Sequence, residues 1–574
     1  MLIYRKPAMS SISFTKPYFA LSVPTIPRWK SLILPLLIAL LIVLPLIGLV
    51  VNIFNPTIAL WQKLWATTLP TMLINTFVLM AGVGIGTLII GVGFAWLVTA
   101  YQFWGRAWFE RLLLLPLALP AYVMGFVFMA TFDYAGPIYT QWRAWFGKDA
   151  WFPEIRSAFG AILVLTLVLY PYVYLLARAA FREQAALTVE AARMMGYSRT
   201  RAFLRLVLPL ARPSIVAGVM LAMMEAMTDY GTVRFFGYST LSEGIVRVWE
   251  LRYDRQTATE LAALLFFVAL AFIALERLLR GRARYYQQGG HGRVLPRVPL
   301  KGWGNLFASG ACWLLLAIAF ILPVAQLVGW GISEMDKSTI GAWRDVYGNY
   351  VGTSLSLAGI SAGVIILFAL VVAHGVRRTS STTKRRIPRI IARLATLGYA
   401  MPGAVVAAGV LLFLSPIDHA VTDFAESLGR TDRSLLLTGT ITILIYAYLV
   451  RYMAVGFNSI ESSLEKVTPN MEHAARTLGA RTRRVLFRVH LPLVSTGVLA
   501  GAILVFVDVM KELPVTLLLR PFGTDTLALW TYYLAAESFW QAAAIPALTI
   551  LVVGLIPVFL LMKLGDRGNG AIRT

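Results

Sequence analysis

The sequence predicts an all-α polytopic membrane protein built as two parallel six-helix repeats. Three observations predict it. The 574 residues are 58% hydrophobic and only 14% charged, against roughly 25% charged in an average soluble domain. A soluble fold cannot hide that much apolar surface. The apolar residues gather into twelve runs, each about 20 residues long, the length that crosses a bilayer as a helix. Finally, one polar, basic stretch is written twice, as VEAARMMGYSRTRAFLRLVLP at 189–209 and as EHAARTLGARTRRVLFRVHLP at 472–492.

The first run, SLILPLLIALLIVLPLIGLVVNIF (31–54), follows Arg5, Lys6, Lys16, Arg28 and Lys30. It is too long for a signal-peptide core and no small-x-small cleavage pattern follows it, so it reads as a retained span. Runs near 72–101, 112–132, 158–177, 213–233 and 258–276 complete a first transmembrane domain, 1–276. A polar, Gly-rich linker occupies 277–303. Runs near 304–331, 351–374, 395–415, 435–456, 494–513 and 542–562 make a second domain, 304–574.

Charge gives the orientation. With a cytoplasmic N-terminus, the basic loop 178–212, the linker 277–303 and the run RRTSSTTKRR (377–386) all fall inside, as the positive-inside rule requires. Alternate loops are poorer in Lys and Arg, for example DYAGPIYTQWRAWFGKDAWFPE (133–154). Arg252 and Arg255 are exceptions, in a loop placed outside. Both termini are expected in the cytoplasm. The net charge of +24 is thereby explained without nucleic acid, because the basic residues form short clusters between spans and no continuous face.

The halves share their punctuation. LPAYV (119–123) matches MPGAV (401–405), and MEAMTDYGTV (224–233) matches VDVMKELPVT (507–516). This is an internal duplication. Six spans is an even number, so both copies have the same orientation. Cys312, the one cysteine, sits in an apolar run, which excludes an intrachain disulfide and a cysteine-based metal site. The five histidines show no metal-binding spacing, and no metal site is assigned. Gly82, Gly84, Gly86, Gly91 and Gly93 lie within an apolar span and read as close helix packing, with G-x-x-x-G spacing at Gly82 and Gly86, rather than as a nucleotide loop. No G-x-x-x-x-G-K-S/T exists in the chain, which is expected not to hydrolyse ATP.

Each copy of the repeated stretch reads as two short helices about a glycine. Gly196 and Gly479 are placed to take the left-handed C-cap conformation. Thr468 and Pro469 suit the start of the second copy's first helix. Pro209 and Pro492 mark where the next span begins. One copy alone would pass for an interfacial anchor. Two copies, with small residues at Ala191, Ala192, Ala474 and Ala475, imply a partner with two equivalent sockets.

These residues carry a resemblance. The pattern E-A-A-x-x-x-G-x9-I-x-L-P of the inner-membrane permeases of binding-protein-dependent ABC importers resembles 190–209 closely, with Leu206 at the Ile position. Residues 473–492 depart from it at His473, which stands in the Glu position beside Glu472, and at Val489. The resemblance implies that Glu190, Ala191, Ala192, Gly196 and Pro209, with Glu472, His473, Ala474, Ala475, Gly479 and Pro492, form two cytoplasmic coupling helices. It further implies a homodimeric ATP-binding cassette subunit that holds ATP-Mg, with no cofactor in this chain. A periplasmic or extracellular substrate-binding protein, a bacterial inner-membrane location and alternating access complete the picture. A narrower stretch, KELPVTLLLRPFGTDTLA (511–528), is similar to fused ferric-iron permeases, and MEAMTDYGTVRFFGYSTL (224–241) agrees with that group. Fused permeases for thiamine and for aminoethylphosphonate share the architecture.

Charges fall inside two predicted spans. Glu225 pairs with Asp508, and Asp229 with Glu512, at the repeat offset, and Lys511 lies beside them. The i, i+4 spacing would put each acidic pair on one helix face. A charge at the bilayer centre costs about 2.5–3.5 kcal/mol on insertion scales, so these residues should face the bundle interior or a watery path. Two readings stay open: the acids line the translocation path, where their oxygens suit ferric iron directly or with a chelating anion, or Lys511 pairs with a neighbouring carboxylate and the acids sit at the outer mouth or bond to backbone freed at Pro514. A secondary transporter could also be six plus six. It would be expected to carry G-x-x-x-D-x-x-G-R-R between its second and third spans, which neither YQFWGRAWFER (101–111) nor GVRRTSSTTKRR (375–386) supplies. No catalytic cluster suggests a membrane enzyme.

Overall fold

The computed structural model describes residues 31–53, 56, 58–251, 254–280, 297–337, 340–380, 386–429, 435–464, 471, 475, 477–480, 482–485 and 491–570. Among them are eleven helices long and apolar enough to cross a membrane, or twelve when one sharply bent pair counts as a span. Eleven of the twelve expected spans fall on these helices, and the third falls on the bent pair. Their ends differ from expectation at informative places.

The third span does not begin at 112. A helix Arg106–Leu112 and a 3-10 turn Leu115–Ala118 come first, and Ala121–Phe132 then leaves at 90° to them. Leu119 is extended (φ −82°, ψ 124°) because it precedes Pro120. The second half repeats the device: helix Arg386–Ala395, 3-10 turn Leu397–Ala400, extended Met401 before Pro402, then Gly403–Ser427. The matched LPAYV and MPGAV segments are thus hinges between a short helix and a span.

The fourth span does not stop at 177. One 37-residue helix, Ala158–Met194, carries the chain from the bundle into the first copy of the repeated stretch. Between Pro171 and Gly196 the sequence offers no breaker. Beyond Gly196 the chain resumes at Arg199–Ala202, passes through a π-bulge at Phe203–Val207 and continues as Leu208–Thr228. Pro209 therefore lies within a continuous helical path, and the expected separate surface helix does not end there.

Glycines set the tightest packing. Helix Leu69–Ala100 lies against Ala158–Met194. A Cβ at Gly82 would come 2.6 Å from Ile162, at Gly86 2.7 Å from Thr166, and at Gly91 2.6 Å from Val173. These positions let two backbones approach where any side chain would hold them apart.

The two halves interlock. The first helix, Ile33–Ile53, packs on Arg386–Ala395 and Gly403–Ser427 of the second half. Pro45 has no N–H for the Leu41 carbonyl, and in an apolar surrounding that acceptor needs another donor. Tyr446 Oη of the second half donates to it at 2.6 Å. In return, the last helix, Trp540–Gly570, packs on Leu115–Ala118 of the first half.

Near the end of the linker, Val298–Pro299 pairs in parallel with Tyr101–Gln102 as a two-stranded sheet. Trp104 N donates to Asn305 Oδ1 at 2.7 Å and Ser309 Oγ donates to Trp104 O at 2.8 Å. The second half is fastened here to the loop between the second and third spans.

Candidate functional site

Both charged segments sit where a helix ends. Leu208–Thr228 stops before Asp229, which is extended (φ −65°, ψ 131°), and Gly231–Phe235 starts a new short helix. Leu491–Met510 stops before Lys511, and Pro514–Leu519 starts with its proline at the first turn. Asp229 and Glu512 thus lie beyond their spans. The expected single i, i+4 face with Glu225 and Asp508 does not form, because the chain turns between the two members of each pair.

Each displaced acid instead satisfies the new helix start. Asp229 Oδ2 accepts from Thr232 Oγ1 at 2.9 Å and Asp229 Oδ1 from Val233 N at 3.1 Å. Glu512 Oε1 accepts from Val515 N at 3.1 Å. Backbone donors orphaned at a helix N-terminus take such partners readily.

The halves then diverge. Glu512 Oε2 also accepts from Tyr452 Oη and lies 3.3 Å from Arg451 Nε. The repeat offset that joins Asp229 to Glu512 puts Val168 opposite Arg451. Asp229 has no such ion pair among the described residues. Lys511 Nζ lies 3.0 Å from Asp508 Oδ1.

These groups surround one cavity of about 160 Å³ between the halves. Glu225, Asp229, Asp508, Lys511 and Glu512 all border it, so the structure brings together every charged residue singled out in the two segments. It also brings Arg451, Tyr122, Tyr172, Tyr399 and Tyr452 to the same space, none of which sequence reasoning selected. Arg451 had a signal, a lone charge inside ILIYAYLVRYMAVGF (443–457). The tyrosines had none, since nothing in their neighbourhood distinguishes them from core aromatics.

Two donors in the cavity wall are unused. Among the described residues, Arg451 Nη1 and Tyr122 Oη are buried without a hydrogen-bond partner. The Glu225 carboxylate has no hydrogen bond or ion pair among the described residues, although its backbone carbonyl accepts from Thr228 Oγ1 at 3.0 Å. The cavity wall therefore offers a ligand both a free acidic acceptor and free cationic and phenolic donors. Among the described residues, no group of three or more His, Cys, Asp or Glu is placed to hold a metal ion.

A second cavity, of about 390 Å³, is lined by Arg234, Arg247, Glu250, Tyr532 and Trp540 among others. Tyr230 borders both cavities.

The repeated stretches have matching turns. Gly196 and Gly479 both have φ +80°, and open space surrounds the position of a Cβ at each. Ala480 N donates to Ala475 O at 3.0 Å, the long closing bond of a Schellman C-cap. Just before the glycines, Met194, Met195 and Leu478 are 91%, 63% and 86% exposed. Met195 and Leu478 correspond at the repeat offset. Glu190, Ala191 and Ala192 lie on the helix Ala158–Met194, but their side chains, with Glu472, His473 and Ala474 entirely, lie outside the described residues. Pro492 is exposed near the start of Leu491–Met510.

Residues 87–284 and 365–569 each match the family described as the binding-protein-dependent transport system inner membrane component. The chain belongs to this family. Its membership sets aside the secondary-transporter reading, and two matches in one chain make it a fused permease. A Fe(3+)-transport system permease protein of Haemophilus influenzae is 26% identical over 94% of this chain and 98% of its own length. A ferric transport system permease protein of Actinobacillus pleuropneumoniae is 22% identical over 85% of this chain and 70% of its own. A sulfate transport system permease protein of Escherichia coli is 26% identical over 43% of this chain and 90% of its own.

Proposed function

We propose that this permease carries ferric iron, free or held by a chelating anion, inward across the bacterial inner membrane. The observation that carries the substrate reading is the end-to-end match, across both halves, with a permease named for Fe(3+) transport. The sulfate permease matches less than half of the chain. The central cavity supports the reading with its chemistry. The Glu225 carboxylate suits a hard cation, and the unused Arg451 and Tyr122 donors suit the oxygens of an anion travelling with it.

In this reading the loops 189–209 and 472–492 are cytoplasmic and dock on two copies of a separate ATPase. ATP-Mg is held there, and a periplasmic or extracellular binding protein delivers substrate to the opposite face. The exposed Met195 and Leu478, placed equivalently beside the two turns, supply apolar knobs for two equivalent sockets. His473 in place of Glu would make those sockets unequal.

The test is uptake into vesicles with the matching binding protein outside and ATP inside. ATP-dependent accumulation of labelled ferric iron, above sulfate, thiamine and aminoethylphosphonate, is expected. Uptake of one of those competitors with none of iron overturns the substrate. In the same assay Glu225→Gln and Asp508→Asn should each lower uptake with expression unchanged. Wild-type rates in both would remove the central cavity from the path.

A further inference from the structure

A second charged cluster lies away from the cavity, at the end of the bundle that carries the 189–209 stretch. Tyr170, Tyr174, Arg178 and Arg182 recur every fourth residue along Ala158–Met194 and so share one face. That face meets the segment 106–113. The break after Leu112 leaves carbonyls there without helical donors. Tyr170 Oη donates to Leu113 O at 2.8 Å, Tyr174 Oη to Glu110 O at 2.9 Å and Arg178 Nη1 to Glu110 O at 2.7 Å.

Several guanidinium groups converge at this place. Glu110 is approached by Arg106 at 2.8 Å, Arg182 at 3.4 Å and Arg178 at 3.7 Å. Arg297, brought in by the strand pair that ends the linker, is a fourth guanidinium in the field of Arg106, Arg182 and Glu110. Burial, and then the neighbouring Arg106, hold the Arg297 guanidinium below the usual arginine range. Leaving Arg182 aside, Arg106, Arg178 and Arg297 thus share the one carboxylate of Glu110 among the described residues. Arg106 is only 8% exposed, yet among the described residues its Nε has no hydrogen-bond partner, and neither has the buried Nε of Arg297. A buried guanidinium nitrogen left unpaired is costly, and an excess of such donors is what a planar or tetrahedral oxyanion satisfies.

We infer that Arg106, Arg178, Arg182 and Arg297 form a binding site for a phosphate group, which joins the inter-repeat linker to the helix leading into the 189–209 stretch. Two sources share that chemistry, the headgroup of an anionic phospholipid and free inorganic phosphate. Trp108, on the same segment, and Trp104, just before it, are 69% and 70% exposed and suit the level of lipid headgroups.

The experiment uses the full chain in an uncharged detergent and has two arms. Native mass spectrometry compares retention of dioleoyl phosphatidylglycerol with dioleoyl phosphatidylcholine. Thermal unfolding compares millimolar inorganic phosphate with chloride at equal ionic strength. The site predicts a preference of about tenfold, the scale of one charge-assisted hydrogen bond, for phosphatidylglycerol in the first arm or a raised midpoint with phosphate in the second. The responding arm identifies the source. Arg106 is buried and its loss threatens folding, so the variants are Arg178→Gln and Arg297→Gln. Each should lower the preference severalfold, and Arg297→Lys should retain more than Arg297→Gln. Equal retention of the two lipids with no effect of phosphate overturns the site. So does an undiminished preference in both glutamine variants.

Discussion

Tyr230 and Tyr532, one from each half and 302 residues apart, share a hydrogen bond of 2.7 Å between their hydroxyls. Tyr230 borders the central cavity and the larger one beside it, and Tyr532 borders the larger. The pair therefore joins the halves at the partition between the two spaces. One neutral hydrogen bond is worth about 1 kcal/mol, or roughly a fivefold change in a two-state population. On the proposed alternating-access reading, this contact breaks when the partition opens. Tyr230→Phe and Tyr532→Phe should each raise basal ATP hydrolysis of the assembled transporter by about that factor. The double variant should do little more than either alone. Additive effects would show that the two hydroxyls act independently.

The Arg451–Glu512 pair is buried at the wall of the central cavity. Removing one partner of a buried pair strands the other and costs roughly 3–5 kcal/mol. Arg451→Leu should markedly lower the thermal midpoint of the purified permease. Adding Glu512→Leu should restore part of it while leaving uptake low. Stability that recovers together with uptake would reduce the pair to a structural strut.

Helix contact through glycine is tested with an internal control. A Cβ at Gly91 would lie 2.6 Å from Val173 and 2.9 Å from the Tyr174 backbone, whereas Gly93 has open space. Gly91→Ala should destabilise the protein by about 1–3 kcal/mol, the range for overpacking, and lower the yield of folded protein. Gly93→Ala should be neutral or mildly stabilising. Equal behaviour of the two in a thermal-shift assay would contradict the packing.

The turns at Gly196 and Gly479 separate backbone from side chain. Their surroundings have room for a Cβ, but φ +80° does not suit most L-residues. Gly479→Asn, which tolerates the left-handed region, should keep more ATPase co-purification than Gly479→Val. Gly196→Pro and Gly479→Pro should lose most of it while membrane insertion stays intact. Met195→Asp and Leu478→Asp should weaken co-purification without changing the turns. Undiminished recovery of the ATPase with all of these would remove the docking assignment.

Much of the architecture was legible from local signals. Run length gave the number of spans, since a bilayer imposes one length on every crossing helix. Repeated punctuation gave the duplication. Gly196 and Gly479 were legible as left-handed turns because few other residues take that conformation at low cost. The helix-packing role of Gly82 and Gly86 followed from their spacing. The exposed Met195 and Leu478 were not legible, because an apolar residue beside a span gives no sign of which way it faces.

Only the folded chain decided where backbone direction changes and which distant groups meet. Hydropathy averages over a window, so it ran the fifth and eleventh spans through Asp229 and Glu512, although the helices end at Thr228 and Met510. It ran the third through Leu119 for the same reason. Partner choice was equally hidden. Pro45 marks a freed carbonyl in the sequence, but that Tyr446, some 400 residues later, answers it depends on the first helix packing across onto the second half. Arg451 and Glu512 find each other in the same way. In an apolar medium every polar group needs a partner; sequence reveals the need, and packing alone selects the group that meets it.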